Sequence, residues 1–315
     1  MAADTMIARR CGASDTASWV MLAGLALACV VACQGFGFRI APWRALAPLI
    51  GLGVLATALA IGRVRDQPRL AAGATAFLQM TLFTLLGVAL SYGLAARAPD
   101  LWDPALAAAD AALGFDWPAF YRIADRHPAA IWIGGIAYHS LIPQMIVCIV
   151  ALSATERLVE LRRAVAAAIL GGILTIAVSG VMPAMGNVFD PDRFRHLWPS
   201  VAWADRLLIA DLRGGAARII DLEHLTGIVS FPSYHATLAV ILAWALRDVP
   251  RLRIVAPVWA GVTILATPLF GGHYAVDVFA GLALAGIVVA LAPYLAASRI
   301  SGWRAVGSTG SVRAS

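Results

Sequence analysis

Apolar stretches about as long as a membrane crossing alternate with short polar connections along the whole chain. A helix needs about 20 mostly apolar residues to span the hydrocarbon layer of a bilayer. Eight stretches meet that requirement or come close: residues 18–34, 44–61, 71–95, 129–153, 164–182, 231–246, 254–270 and 274–297. The sixth and seventh are short, with the least sharply marked ends. Glycine and proline interrupt several of them, as membrane helices allow. The pattern predicts an all-α fold, a polytopic helical membrane bundle of about eight spans.

Composition points the same way. Of the 315 residues, 61% are hydrophobic and 13% charged, and mean hydropathy is +0.80. A soluble domain averages about 25% charged residues. Too little polar surface is available to cover this chain in water, so lipid is its natural solvent. The formal charge is +6, and all 24 basic residues are arginine. They are spread over the connections, which marks membrane topology and not nucleic-acid binding. Cys11, Cys29, Cys33 and Cys148 lack zinc-type spacing with histidine and define neither a disulfide framework nor a metal site. Arg9-Arg10 and the apolar run ending at Cys33 have the look of a lipoprotein signal, but apolar runs continue down the chain. The segment therefore reads as a first transmembrane helix.

Arginine counts set the orientation. With the N-terminus inside, the inner segments hold 14 arginines and the outer ones 10. Five of the outer ones, Arg193, Arg195, Arg206, Arg213 and Arg218, lie in the long segment 183–230. Long loops weigh little in the positive-inside rule, so both termini are predicted cytoplasmic and the long segment external. The expected location is a bacterial inner membrane. The chain then divides into a cytoplasmic N-terminus with three spans (1–97), an external interfacial segment (98–128), a five-helix portion carrying the site (129–297, with the long outer loop 183–230) and a cytoplasmic polar tail (298–315).

The interfacial segment carries Leu101-Trp102-Asp103, Leu113-Gly114-Phe115-Asp116-Trp117 and Tyr121. Tryptophan and tyrosine favour the headgroup zone, so one or two interfacial helices are expected there. The segment 183–230 is long for a structureless connection, and such loops are usually functional.

The candidate chemistry sits where the sixth and eighth spans begin. The sixth opens Ser230-Phe231-Pro232-Ser233-Tyr234-His235; the eighth opens Gly271-Gly272-His273-Tyr274-Ala275-Val276-Asp277. The 38 residues between His235 and His273 allow one helix in, a short turn and one helix back. At about 1.5 Å per residue each leg nearly crosses a membrane, which returns both histidines to one face. His273 and Asp277 are one helical turn apart and stack on one side. A carboxylate under an imidazole fixes its tautomer and makes the other ring nitrogen a better nucleophile. Pro232 suits a helix start that Ser230 or Ser233 caps, and the free amides of such a start attract phosphate. Gly271-Gly272 lets backbone approach a ligand closely. Asp277 is an ionisable group within an apolar span, a functional signal by itself.

These residues resemble the type-2 phosphatidic-acid phosphatase superfamily. Pro232-Ser233-Tyr234-His235 is similar to its second motif, and His273-Tyr274-Ala275-Val276-Asp277 to the end of its third. The tyrosine before His235, Pro183-Ala184-Met185-Gly186 and Leu113-Gly114-Phe115-Asp116-Trp117 are more similar to the inositolphosphotransferase branch, which includes the inositol phosphorylceramide synthases. The resemblance implies that His273 attacks phosphorus to form a phosphohistidine. Asp277 orients it, and His235 protonates the leaving oxygen and then activates the acceptor. Ser233, Tyr234 and Gly272 would lie by the phosphate. No metal and no cofactor is implied. The implied substrate is a lipid phosphate or phospholipid drawn from the membrane lipids, with water or a small alcohol as acceptor and the site on the extracytoplasmic face.

The phosphatases' basic residues are missing. Their first motif carries lysine and Arg-Pro, and neither occurs here; their Ser-Arg before the third motif is replaced by Ala266-Thr267. Arg193 and Arg195, flanking His196, are the expected substitutes for the phosphate clamp, and His139 in the fourth span the expected pocket residue. The expected activity is therefore that of a lipid phosphate phosphatase or an inositolphosphotransferase-like headgroup transferase. Two other classes fit some of the same residues. One is a metal-dependent membrane hydrolase with His235, His273 and Asp277 as ligands. The other is a transporter or proton relay using His139 and Asp277 without phosphoesterase activity.

Overall fold

The computed structural model describes residues 14–296. Arg9, Arg10, Cys11, the last residue of the eighth expected span and the polar tail lie outside the described residues. Among the described residues, twelve α-helices run in chain order: α1 (Thr16–Gly35), α2 (Leu46–Val64), α3 (Pro68–Ala95), α4 (Asp103–Ala112), α5 (Trp117–Asp125), α6 (Pro128–His139), α7 (Leu141–Ala154), α8 (Leu158–Val181), α9 (Val201–Gly214), α10 (Tyr234–Ala245), α11 (Leu252–Gly271) and α12 (Ala275–Leu295). Two-residue strands β1 (Arg39–Ile40) and β2 (Ile219–Ile220) pair in parallel.

Among the described residues, six helices are long and apolar enough to cross a membrane, and seven spans result if the pair α6–α7, bent by 54°, counts as one. This chain is an integral membrane helical bundle. Its outer belt, including Val31, Val54, Val150, Val258 and Leu265, exposes large apolar side chains as a lipid-facing surface does. α2 packs chiefly on α3 and buries only Gly62.

Two expected spans take a different form, each for a local reason. The fourth is broken at Ser140. Pro143 has no amide for the carbonyl of His139, and its ring crowds that carbonyl, which ends one helix and starts the next at an angle. Ser140 fills the break by donating to Ala137 O and accepting from Trp259 Nε1 and Gln144 Nε2. The sixth is α10, only 12 residues long. At about 1.5 Å per residue that is roughly 18 Å, well short of a bilayer. Pro232 precedes its start and Pro250 follows its end, so α10 stands inside the bundle, surrounded by α7, α8, α11 and α12.

Small residues let the central helices approach closely. Gly171 of α8 faces Thr237, Gly172 faces the ring of Phe83, and Gly281 of α12 faces the Ser233 carbonyl. Thr237 Oγ1 also donates to Gly281 O at 2.9 Å, tying α10 to α12.

The connections expected outside meet at one end of the bundle. The β1–β2 pairing joins the α1–α2 connection to the long segment, and Arg44 pairs with Asp221 and Glu223. Asp103 joins the interfacial segment to the backbone of Met185 and Gly186. Two connections expected inside are likewise joined, by Arg69–Glu156 at 2.6 Å. The interfacial segment forms two helices, α4 and α5. The long segment is not structureless: it holds α9, whose N-terminus is capped by Ser200 accepting from Trp203 N, and whose C-terminus ends on Gly215 at φ +87°.

Candidate active site

The start of α12 is fixed from three directions. Its first amides, Ala275 N and Val276 N, donate to the two carboxylate oxygens of Asp110 at 2.8 and 2.9 Å. Asp110 is fully buried and also accepts from Trp117 Nε1 at 2.8 Å. The third amide bonds back to Tyr274 O. This helix start is therefore closed by the protein's own carboxylate and is not available to a ligand anion. The Gly114–Trp117 stretch serves that closure: Gly114 turns at φ +87°, Asp116 caps α5 by accepting from Ala119 N, and Trp117 delivers its indole N–H to Asp110.

Just before α12, Gly272 adopts φ +76° and hands the chain from α11 to His273. Its carbonyl accepts from Asn187 N at 2.6 Å. A Cβ at Gly272 would sit 2.6 Å from the methyl of Ala202, so α9 begins directly against this turn. Gly186, at φ +106°, presses on the same Gly272 carbonyl, with its own amide and that of Met185 held by Asp103. Asp103 also accepts from Tyr274 OH at 3.2 Å. The Pro183–Gly186 stretch thus braces the turn that carries His273.

On that support sits a buried polar chain. Asp277 Oδ2 accepts from Ser230 Oγ at 2.8 Å and from Tyr274 N at 3.0 Å, and it faces His273 Nδ1 at 3.3 Å. The other ring nitrogen, His273 Nε2, is 3.5 Å from Ser233 Oγ. Asp277 is completely buried and His273 nearly so. With Nδ1 turned to a carboxylate, the proton belongs on Nδ1 and the lone pair on Nε2. Ser233 caps α10 by accepting from Ala236 N, and Ser233 N donates to Asp277 O, so the two helix starts are pinned to each other.

His273 opens onto a cavity of about 400 Å³. Its polar wall includes His235, Ser230, Tyr138, His139, Tyr234 and Asp205. Apolar wall comes from Met80 and Phe83 of α3 and from Leu141, Ile142 and Met145 of α7. The His235 ring lies flat on Tyr138, with centroids 4.2 Å apart and planes within 10°. Tyr234 OH donates to Ala168 O at 3.0 Å, which fixes that ring in the wall.

Among the expected site residues, His273, His235, Tyr234 and His139 meet in the cavity wall, and Asp277 and Ser233 stand directly behind His273. Gly272 lies behind the wall and acts through its backbone. Arg193 and Arg195 do not line the cavity. The Arg193 side chain is 80% exposed and pairs with Asp190, and Arg195 donates its backbone amide to Asp125. Arg206 lies over the Trp203 ring and donates to the Trp203 carbonyl, and Arg218 donates to Leu212 O and Ala217 O. Arg213 alone of the five lines a cleft next to the cavity. Thr267, at the phosphatases' arginine position, is buried and bonds its own helix at Thr263 O. Among the described residues, the ligand atoms of His235, His273 and Asp277 do not gather closely enough to share one metal ion; the group that does is Asp221, Glu223 and His224, at the surface.

Asp103, Asp110, Tyr138 and Asp205 were not singled out by sequence reasoning as site residues. Asp110 had one signal, a lone carboxylate in the apolar run Ala107-Ala108-Ala109-Asp110-Ala111-Ala112.

The membrane bundle thus holds a cavity that ends on a carboxylate-facing histidine, with a second histidine in the same wall. A family model of the PAP2 superfamily matches residues 104–291, and the chain belongs to that superfamily. No curated protein and no solved structure matches it. Membership supports phosphatase-like phosphoryl transfer, and the matched stretch contains Asp110, His139, Asp205, His235, His273 and Asp277.

Proposed function

We propose that this protein transfers the phosphoryl group of a membrane lipid through a phosphohistidine on His273. The observation that carries the reading is the chain Ser230–Asp277–His273, which leaves Nε2 with its lone pair at the cavity. Nε2 attacks phosphorus; the P–N bond forms as the bond to the leaving oxygen breaks, and His235, protonated when the anionic phosphate lies against it, gives that oxygen its proton. Asp277 stabilises the positive ring that results. His235, now neutral, takes a proton from the incoming hydroxyl as that oxygen attacks phosphorus and the P–N bond breaks. The ring of Tyr138 holds His235 in place for both transfers.

The first turn of α10, next to Ser233, supplies backbone amides for the charge on the phosphoryl oxygens. The mainly apolar remainder of the cavity suits a lipid tail. Water and alcohols serve the intermediate alike; the Pro232–His235 wording and the Pro183–Gly186 segment favour an alcohol acceptor and so an inositolphosphotransferase-like headgroup transferase. The contact of Ala202 with the Gly272 turn sets the proposed site at the bundle end of the long segment, and the arginine distribution supports an extracytoplasmic face for it.

The test is product analysis on purified protein with a radiolabelled phospholipid, with and without an alcohol acceptor. Label should pass to the alcohol or to water in wild type and to neither in His273→Ala. Unchanged turnover in that variant contradicts the proposal.

A further inference from the structure

Helix α9 turns Val201, Ala202, Asp205 and Ile209 toward the cavity, one face of a helix by their spacing. Ala202 touches the Gly272 turn, the residue before His273. Asp205 is three residues further on, about 4.5 Å along the axis. It lines the same cavity as His273 and so faces a ligand bound there.

Its carboxylate is not spoken for. Oδ2 is shielded from solvent and has no hydrogen-bond partner. Buried acceptors are nearly always paired in folded proteins, so an orphan in a cavity wall marks a place where something else donates. The neighbouring arginine is committed elsewhere: Arg206 is held by the Trp203 ring and carbonyl. No arginine lines the cavity among the described residues. A carboxylate there repels phosphate oxygens, so its natural partner is a donor. Burial pushes this carboxyl up to about 6, which still leaves it ionised, and accepting, at neutral pH.

We propose that Asp205 selects the substrate's headgroup, accepting hydrogen bonds from the hydroxyl or ammonium groups of the alcohol esterified to the reacting phosphate. The proposal rests on the phosphoryl-transfer reading for the identity of the ligand, but its binding geometry does not depend on turnover.

The experiment is therefore equilibrium binding, on full-length His273→Gln protein in detergent. The probes are phosphatidylglycerol, phosphatidylethanolamine and phosphatidylmethanol, which has no donor in its headgroup. A hydrogen bond to a charged group is worth roughly a tenfold or greater difference in affinity. The parent protein is expected to bind phosphatidylglycerol or phosphatidylethanolamine by about that factor over phosphatidylmethanol; which of the two gains tells hydroxyl from ammonium. Asp205→Leu, of similar size, should bring all three within about twofold, and the isosteric Asp205→Asn should cut the preference severalfold. No preference in the parent, or the same preference in Asp205→Leu, overturns the proposal. Failure of the phosphohistidine reading shows separately, as the absence of acid-labile label in protein with native His273 and Asp205, and leaves the binding ratios intact.

Discussion

Ser230 donates its hydroxyl to Asp277 at 2.8 Å, on the same carboxylate oxygen that faces His273. One oxygen thus receives a hydroxyl, a backbone amide and an imidazole, and the carboxylate is held at the angle the imidazole needs. Asp277→Asn keeps the shape but offers an amide where Nδ1 needs an acceptor, which favours the wrong tautomer. Turnover is expected to drop by roughly 10²–10⁴-fold, the usual range for misplacing a catalytic proton. Ser230→Ala removes one of three donors and should cost about tenfold or less. Steady-state rates on one phospholipid in detergent decide the ranking; equal losses for the two variants would argue against the assigned roles.

Asp110 works at a distance from the chemistry. It takes up two amides of α12 and one indole N–H. Asp110→Ala leaves these donors buried and unpaired, at about 1–3 kcal/mol for such a loss. Thermal unfolding in detergent should show a lower midpoint, accompanied by a lower turnover because α12 carries Asp277. A variant with unchanged midpoint would mean that the cap is dispensable.

Two glycines give a matched pair. A methyl group at Gly186 overlaps the Gly272 carbonyl and φ is +106°, so Gly186→Ala should destabilise the turn bearing His273. Gly214, at the end of α9, has open space around it and ordinary helical geometry. Gly214→Ala should be neutral or slightly stabilising. Unfolding midpoints of the two variants side by side test the difference, and equal midpoints would contradict it.

Asp205 makes stability depend on pH. Its carboxyl is raised by burial from the ordinary value near 4 to about 6. Below the ordinary value it is neutral in both folded and unfolded chains, and its contribution to the fold is fully present. As pH rises through about 6 it must ionise in a poorly solvated wall, and that contribution is lost. Unfolding midpoints of wild type should therefore fall relative to Asp205→Asn between about pH 4 and 6. Parallel curves for the two proteins across that range would refute the assignment.

What the sequence revealed, and what it did not, follows from the range of the interactions. His273 and Asp277 are one turn apart, and their relation is visible in the spacing alone. His235 was reachable by counting one helix in and one back. The expected cap at Ser233 is present for the same local reason. Asp110, by contrast, reaches Ala275 across 165 positions, and Asp103 reaches Tyr274 across 171. No local pattern announces such pairs. The bend at Ser140 was in principle legible from Pro143, but length and apolarity alone read the stretch as one straight span. α9 was hidden by its arginines, which made an amphipathic helix look like a polar loop and drew the search for a phosphate clamp to Arg193 and Arg195. Instead the cavity wall offers a carboxylate from that same helix.

The most direct measurement is rapid quenching of the purified enzyme with radiolabelled phospholipid, followed by peptide mapping of protein-bound label. The expected result is acid-labile, base-stable phosphate on the peptide containing His273, absent from His273→Ala and, in His235→Ala, both formed and cleared more slowly. Turnover without any such label on His273, or label undiminished in His273→Ala, would contradict the proposed mechanism.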